Sequence, residues 1–399
     1  MKQFLMTLVC MAFAGNTVMA NAPRPRIYDG EHMAYVKSNP DKFRKAFDKL
    51  KKEAADALNF KPVSVMDKDM TAVSGDKHDY ISMGPYWWPD PTKPDGLPYI
   101  RKDGVRNPNA TADRQNVGKT INRMLTLGVA YYYFGDEAYA KKAADIARVW
   151  FLNPETRMNP NMNYAQMIPG RRNGLGRGAG MIDTYSFVEL IDVLDILKDS
   201  QSFTDGDYKG MQQWFADYLD WTQTSKVAAE EKRATNNHGL AFDVQTTVFA
   251  LFTGNDELAR NIISNFAGTR LFSQIEPDGK QPQELARTTG YGYTVFNIVH
   301  MIDMCYVAKT VGIDIYKQKS EDGRSIAKAL EYAASFFGTQ QEGFPYKQIK
   351  PWDNDQNNLC WQLLRASRFD KKAKWNETAL KYMKTSDSDR RLLLYGDNK

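Results

Sequence analysis

The sequence predicts an all-α chain of stacked helical hairpins. Three observations carry that prediction. Apolar residues recur at three-to-four spacing through most of the chain, and the segments so marked run about 12 to 18 residues. The joints between them are short and hold stop signals, as in Gly135-Asp136, Ser202-Phe203-Thr204-Asp205 and Thr253-Gly254-Asn255-Asp256. Helices of that length joined by short turns stack as antiparallel hairpins. Strands do not alternate with helices, which argues against a parallel α/β sheet.

The first periodic segment, 43–58, places Phe47, Leu50, Ala54 and Leu58 on one face. Further segments follow at 117–133, 137–152, 181–197, 208–221, 240–251, 257–272, 295–311 and 325–337. Two stretches break the pattern. Residues 71–111 hold Pro85, Pro89, Pro91, Pro94, Pro98 and Pro108, which no helix interior accepts. Residues 153–180 are rich in Asn, Pro, Gly and Arg. Long loops inside a helical domain are usually functional. The charged tail from Lys384 is expected to pack loosely. No repeat or low-complexity linker divides the chain, so residues 21–399 read as a single domain.

Met1-Lys2-Gln3, the apolar run from Phe4 to Ala14 and Val18-Met19-Ala20 read as a secretory signal peptide, residues 1–20. The run is shorter than the ~20 residues of a membrane span. Val9 stands before Cys10 where a lipoprotein signal needs a small residue. The expectation is a periplasmic or extracellular monomer with no membrane segment. Losing Lys2 takes the formal charge from +5 to +4. That mild excess suits a polyanion, and there is no long basic run for nucleic acid. Cys305 and Cys360 lie in apolar stretches and read as buried free thiols, with pairing in an oxidising compartment as the alternative.

Four of the 399 residues are histidines, and only His238 follows a tandem of amides, in Asn236-Asn237-His238-Gly239. One amide is a natural helix N-cap. A cap leaves the second amide and the imidazole unexplained. Further on, Arg287 leads into Thr288-Thr289-Gly290-Tyr291-Gly292-Tyr293. The plainer reading there is a surface helix start with two core tyrosines. A free phenol titrates at about pH 10, so a basic tyrosine needs a cation or donor beside it. Arg287 is close enough in sequence to serve. Amide, imidazole, guanidinium and phenol are together the groups that abstract a proton next to a carboxylate, which is the chemistry of a polysaccharide lyase.

Gly84-Pro85-Tyr86-Trp87-Trp88-Pro89-Asp90-Pro91 sets two tryptophans on a stiff loop. Exposed rings there suit stacking on sugars, against the plainer reading of one buried anchor. Tyr99 and Arg101 extend the same groove. The second loop offers Tyr164, Gln166 and Arg171 or Arg177. Its glycines lack the strand and Lys-Ser/Thr of a phosphate loop. No zinc or calcium spacing and no Gly-x-Ser-x-Gly elbow occurs, so no metal or cofactor is expected.

Asp79 to Pro91, Met158-Asn159-Pro160-Asn161 with Tyr164-Ala165-Gln166, Asn236 to Gly239, and Gln274 to Gly279 with Pro282, Glu284-Leu285 and Arg287 resemble the alginate lyase superfamily. The resemblance runs over residues 60–350. It implies an incomplete α/α toroid of about six or seven helical hairpins. It also implies that Asn237 and Arg287 neutralise a uronate carboxylate while His238 and Tyr293 handle protons. Gly292 departs from the pattern, since many relatives carry histidine before the tyrosine. Tyr293 fits the family's Tyr-x-Val-Phe-Asn better, and Tyr291 stays the alternative. Gln166, Trp87, Trp88, Tyr86, Tyr164, Tyr291 and Arg171 are the expected substrate-binding residues. The implied partner is an anionic 1,4-linked polyuronate, mannuronate-rich alginate first and glucuronan next, cut by β-elimination to 4,5-unsaturated ends. A glycoside hydrolase with two carboxylates on a similar toroid, and an oligouronate-binding protein, are the competing readings.

Overall fold

In the computed structural model, residues 24–396 are described. The expected signal peptide, residues 1–20, lies outside them. Two helices, α1 (Gly30–Ser38) and α2 (Arg44–Leu58), precede the first long loop. Then come α3 (Asp113–Phe134), α4 (Glu137–Ala147), α5 (Phe187–Leu197), α6 (Asp205–Thr224), α7 (Lys226–Lys232), α8 (Asn237–Thr253) and α9 (Asp256–Phe266). The chain ends with α10 (Gly290–Thr310), α11 (Ile326–Ala334), α12 (Asp353–Ala366) and α13 (Trp375–Tyr382).

Helices α3, α5, α8, α10 and α12 pack each against the next as the inner wall of an incomplete α/α toroid. Inner α5, α8 and α10 are buried on nearly every face, as in Leu240, Phe242, Val244, Val248 and Phe249 of α8. Outer helices bury one stripe: Ala140, Ala143, Ala144 and Ala147 in α4, and Ala259, Ile263 and Phe266 in α9. Position in the toroid therefore follows from how much of each helix is apolar. Among the described residues no helix is long and apolar enough to cross a membrane. Cys305 and Cys360 are free and buried.

Sequence periodicity left α1, α7, α12 and α13 unmarked, because they are short or, in α12, open on the polar turn Asp353-Asn354-Asp355. The tail also departs from expectation. Leu393, Leu394 and Tyr395 are buried, Asp29 donates its N–H to the Leu394 carbonyl at 3.2 Å, and the Tyr133 hydroxyl donates to Leu393. An apolar triplet outweighs the charges around it.

The two loops carry short strands. The first holds β1 (Ile81–Met83), β2 (Trp87–Trp88) and β3 (Ile100–Arg101), and the second holds β4 (Tyr164–Met167). β1 pairs with β4 in parallel and β2 with β3 antiparallel. Buried Lys68 ties the first loop to α3. Its ammonium meets Asp113 Oδ2 at 2.9 Å and donates to the carbonyls of Val65, Lys77 and Asp79 at 2.7, 2.7 and 2.9 Å. Asp113 also accepts the Ile81 N–H at 3.0 Å, and burial pushes its carboxyl up to about 6. Lys68→Ala strands that carboxylate and is expected to lower unfolding free energy by about 3–5 kcal/mol in chemical denaturation. Adding Asp113→Ala should recover part of the loss.

Candidate active site

The inner helices open at one mouth. Arg114 from α3, Asn237 and His238 from α8, Tyr293 and Phe296 from α10, and Asn354 and Asp355 from α12 line a single cleft of about 590 Å³. All lie in the first two turns of their helices, so positive helix ends face the same space. Arg101, Arg106, Arg114, Arg177, Arg287 and Lys350 line it too, against one carboxylate, Asp355. Among the described residues, the buried N–H groups of Arg114 (Nη1) and Arg177 (Nε) have no partner. Unspent donors and excess positive charge make a receptor for a polyanion.

Tyr293 is held from behind. Asp103, delivered by the first loop, accepts Arg287 Nη2 at 2.7 Å and Nε at 3.2 Å, plus the Thr288 N–H and hydroxyl at 3.3 and 3.0 Å. Burial alone would raise the Asp103 carboxyl, but Arg287 and Thr288 outweigh it and hold it well below the usual carboxylate range. Arg287 Nη2 also donates to the Tyr293 phenol at 2.7 Å, and its guanidinium carbon sits 3.8 Å from the ring centroid. The Tyr293 hydroxyl donates to that of Tyr86 at 3.1 Å. Burial, aided by Tyr86, lifts the phenol well above its ordinary pKa, and Arg287 reverses only part of that. The cation inferred from sequence is present, and in the open cleft it does not prevail.

Asn236 caps α8, accepting the His238 N–H at 3.3 Å. Gly239 follows because a Cβ there would stand 2.1 Å from the Ala234 carbonyl oxygen. His238 Nδ1 lies 2.6 Å from Glu231 Oε1. A carboxylate accepts, so Nδ1 carries the hydrogen and Nε2 is left for a ligand. Asn237 is fully buried, and its N–H and Nδ2 both donate to Glu284, at 2.7 and 2.8 Å. Gln166 sits at a one-residue bulge of β4 with φ 49°, a strained conformation away from glycine. Its Nε2 donates to Asp183 at 3.0 Å and its Oε1 accepts Arg177 Nη2 at 2.6 Å. Gln166 thus orients Arg177, with both ends of its amide engaged.

The structure thereby gathers Tyr293, His238, Asn237, Arg287, Gln166 and Tyr86 in one cleft. It places the other expected contacts elsewhere. Tyr291 is 1% exposed, donates to the Ala333 carbonyl at 3.1 Å and packs among Phe336, Phe344 and Trp352. Helical geometry turns it some 200° from Tyr293, into the core. Trp87 and Trp88 are half-buried outside the cleft lining, because pairing with β3 fixes them in a hairpin. The Arg171 guanidinium lies 5.1 Å over the Trp87 ring, and Trp88 Nε1 donates to Val105 at 2.9 Å. Arg171 is spent on that ring and on the Tyr99 carbonyl at 3.3 Å. Tyr164, paired with Ile81, is also off the cleft. Arg106, Arg114, Lys350, Asn354 and Asp355 of the lining, and Glu231 behind His238, lie in no motif of the sequence. A Cβ on Gly292 would stand 2.8 Å from the Asp355 carboxylate.

A sequence model of the alginate lyase family matches residues 64–344. The chain belongs to the alginate lyase family. A crystal structure of an alginate lyase from Bacteroides ovatus is similar at 54% identity and TM-score 0.92, over 93% of this chain and 99% of that one. Alginate lyase A1-III from Sphingomonas species A1 shares the fold at 14% identity and TM-score 0.54, over 95% of this chain and 98% of that one. A tyrosine-to-phenylalanine variant of A1-III complexed with a tetrasaccharide aligns at TM-score 0.54 and 14% identity, over 87% of this chain and 94% of that one. Comparison with curated proteins returns no match. This alginate lyase family member is a polysaccharide lyase.

In this lyase Tyr291→Phe removes one core hydrogen bond. It should lower stability by about 1 kcal/mol in urea denaturation. Formation of unsaturated product, followed by absorbance, should not change.

Proposed function

We propose that this lyase cleaves mannuronate-rich alginate by β-elimination, with Tyr293 as both base and acid. One observation carries the reading: the Tyr293 phenol, gripped by Arg287 at 2.7 Å, opens onto a cleft lined by six cationic side chains. The similarity to alginate lyases supports alginate as the polymer.

Asn237 and Arg287 bind the uronate carboxylate, Arg287 through Nη1, which its bonds to Asp103 and Tyr293 leave over. Charge that builds on the carboxylate as the C5 proton leaves is met by the Arg287 donor already in place, and such preset donors commonly lower a barrier more than any other device. The phenolate takes the C5 proton, the C5–H electron pair becomes the C4=C5 double bond, and the C4–O4 bond breaks. The same phenol returns its proton to O4. One residue suffices because the C5 hydrogen and O4 of mannuronate lie on one ring face, as they do in glucuronate, the second candidate. A phenolate of raised pKa is scarce but strongly basic, which suits a weakly acidic carbon. His238 orients the sugar through Nε2, and serves as base from the opposite face if guluronate is accepted. The signal-peptide reading of residues 1–20 puts this work in the periplasm or outside the cell.

Purified protein offered polymannuronate, polyguluronate, glucuronan and pectate should raise the unsaturated-uronate absorbance fastest on polymannuronate. Tyr293→Phe and His238→Ala should each lower that rate about 10²–10⁴-fold. Near-normal turnover by Tyr293→Phe would remove the phenol from the mechanism. Saturated products would instead signal hydrolysis, and binding without cleavage a capture protein.

A further inference from the structure

The contact between Asn237 and Glu284 conflicts with carboxylate binding by Asn237. Both donors of Asn237 within reach of Glu284 are spent on it, and the amide oxygen Oδ1, buried at the cleft wall, has no partner among the described residues. An amide oxygen turned toward a uronate carboxylate sets lone pairs against negative charge. An amide N–H there would attract it. An ionised Glu284, 1% exposed, would add a second buried negative charge beside the bound uronate.

We infer that Glu284 acts as a neutral carboxylic acid that turns the Asn237 amide. One Glu284 oxygen keeps the Asn237 N–H, and the protonated oxygen donates to Oδ1. Nδ2 then faces the cleft as a donor to the uronate carboxylate. Glu284 is a positioning residue: it acts through Asn237 and does not touch the sugar. The inference rests on the lyase reading and adds a proton to it.

The surroundings agree. Burial raises the Glu284 carboxyl above the ordinary range and outweighs the Asn237 hydrogen bonds and the attraction of Arg287 and His238, the charged and titratable groups that face it. A uronate carboxylate arriving nearby pushes the same way. Substrate binding is therefore coupled to proton uptake, and affinity falls as pH rises through the Glu284 pKa.

The test uses the full-length Tyr293→Phe protein as a trap and a mannuronate tetrasaccharide as the probe. Calorimetric titration at pH 8, in two buffers of different ionisation enthalpy, reads the protons taken up on binding. The expected value approaches about one proton per site. Glu284→Gln presents a fixed N–H to Oδ1, so adding it should keep binding and abolish uptake. Alone, it should keep turnover within about tenfold and flatten the alkaline rise of KM. An infrared difference spectrum on binding should show the carbonyl stretch of a protonated carboxylic acid, which needs no change at position 284. Absence of uptake and of that band, or a folded Glu284→Gln protein that loses turnover more than about a hundredfold, would overturn the assignment. The wild-type protein is assayed alongside. If it yields unsaturated product while the trap takes up no proton, the Glu284 assignment alone fails; if it yields none on any uronan, the lyase reading fails first.

Discussion

Everything at this site depends on one topological constraint. Inner helices of a hairpin toroid run the same way, because each is followed by an outer helix that brings the chain back. Their N-terminal ends therefore share one mouth, and Arg114, Asn237, His238, Tyr293 and Asn354 meet there though they span most of the sequence. Helix dipoles and six cationic side chains then place like partial charges in one cleft. Carboxylates behind the wall offset that repulsion: Asp103 holds Arg287, Asp183 holds Gln166 and Arg114, and Glu231 holds His238. Negative charge kept one layer back leaves the surface positive and its side chains fixed.

The long loops complete what the helices begin. The first supplies Asp103, Tyr86 and Arg101, and the second supplies Gln166 and Arg177. They are joined by the β1–β4 pair and anchored by Lys68, so the phenol's partners are set by loop packing as much as by α10. Gln166 bears the strain of that junction, in a backbone conformation a side chain rarely takes.

Much of this was legible in the sequence, for identifiable reasons. Helical periodicity marked α8 and α10 because they are long and apolar, and the amide pair Asn236-Asn237 marked a helix start whose cap the fold assigns to Asn236. Asn237, His238, Arg287 and Tyr293 stood out by residue type and by resemblance, and the fold brings all four to one cleft. Trp87 and Trp88 sit in a two-residue strand pairing that periodicity does not mark, outside the cleft lining. Tyr291 and Tyr293 could not be told apart without knowing where α10 begins. Lys350, Asn354 and Asp355 reach the cleft from far along the chain, through the bridge between Thr289 and Gln348, and no local pattern marks such a contact. Glu284 belongs to a motif that carries the resemblance, but its burial is a property of the fold that no local pattern marks.

The mechanism stands or falls on whether the Tyr293 phenol itself removes the C5 proton. Replacing Tyr293 with a fluorinated tyrosine of lower phenol pKa, and following kcat against pH on polymannuronate, decides the matter. If Tyr293 is the base, the alkaline rise in kcat moves to lower pH in step with the acidity of the substituted phenol. A profile that keeps its position while the fluorinated phenol titrates lower would assign the proton to another group.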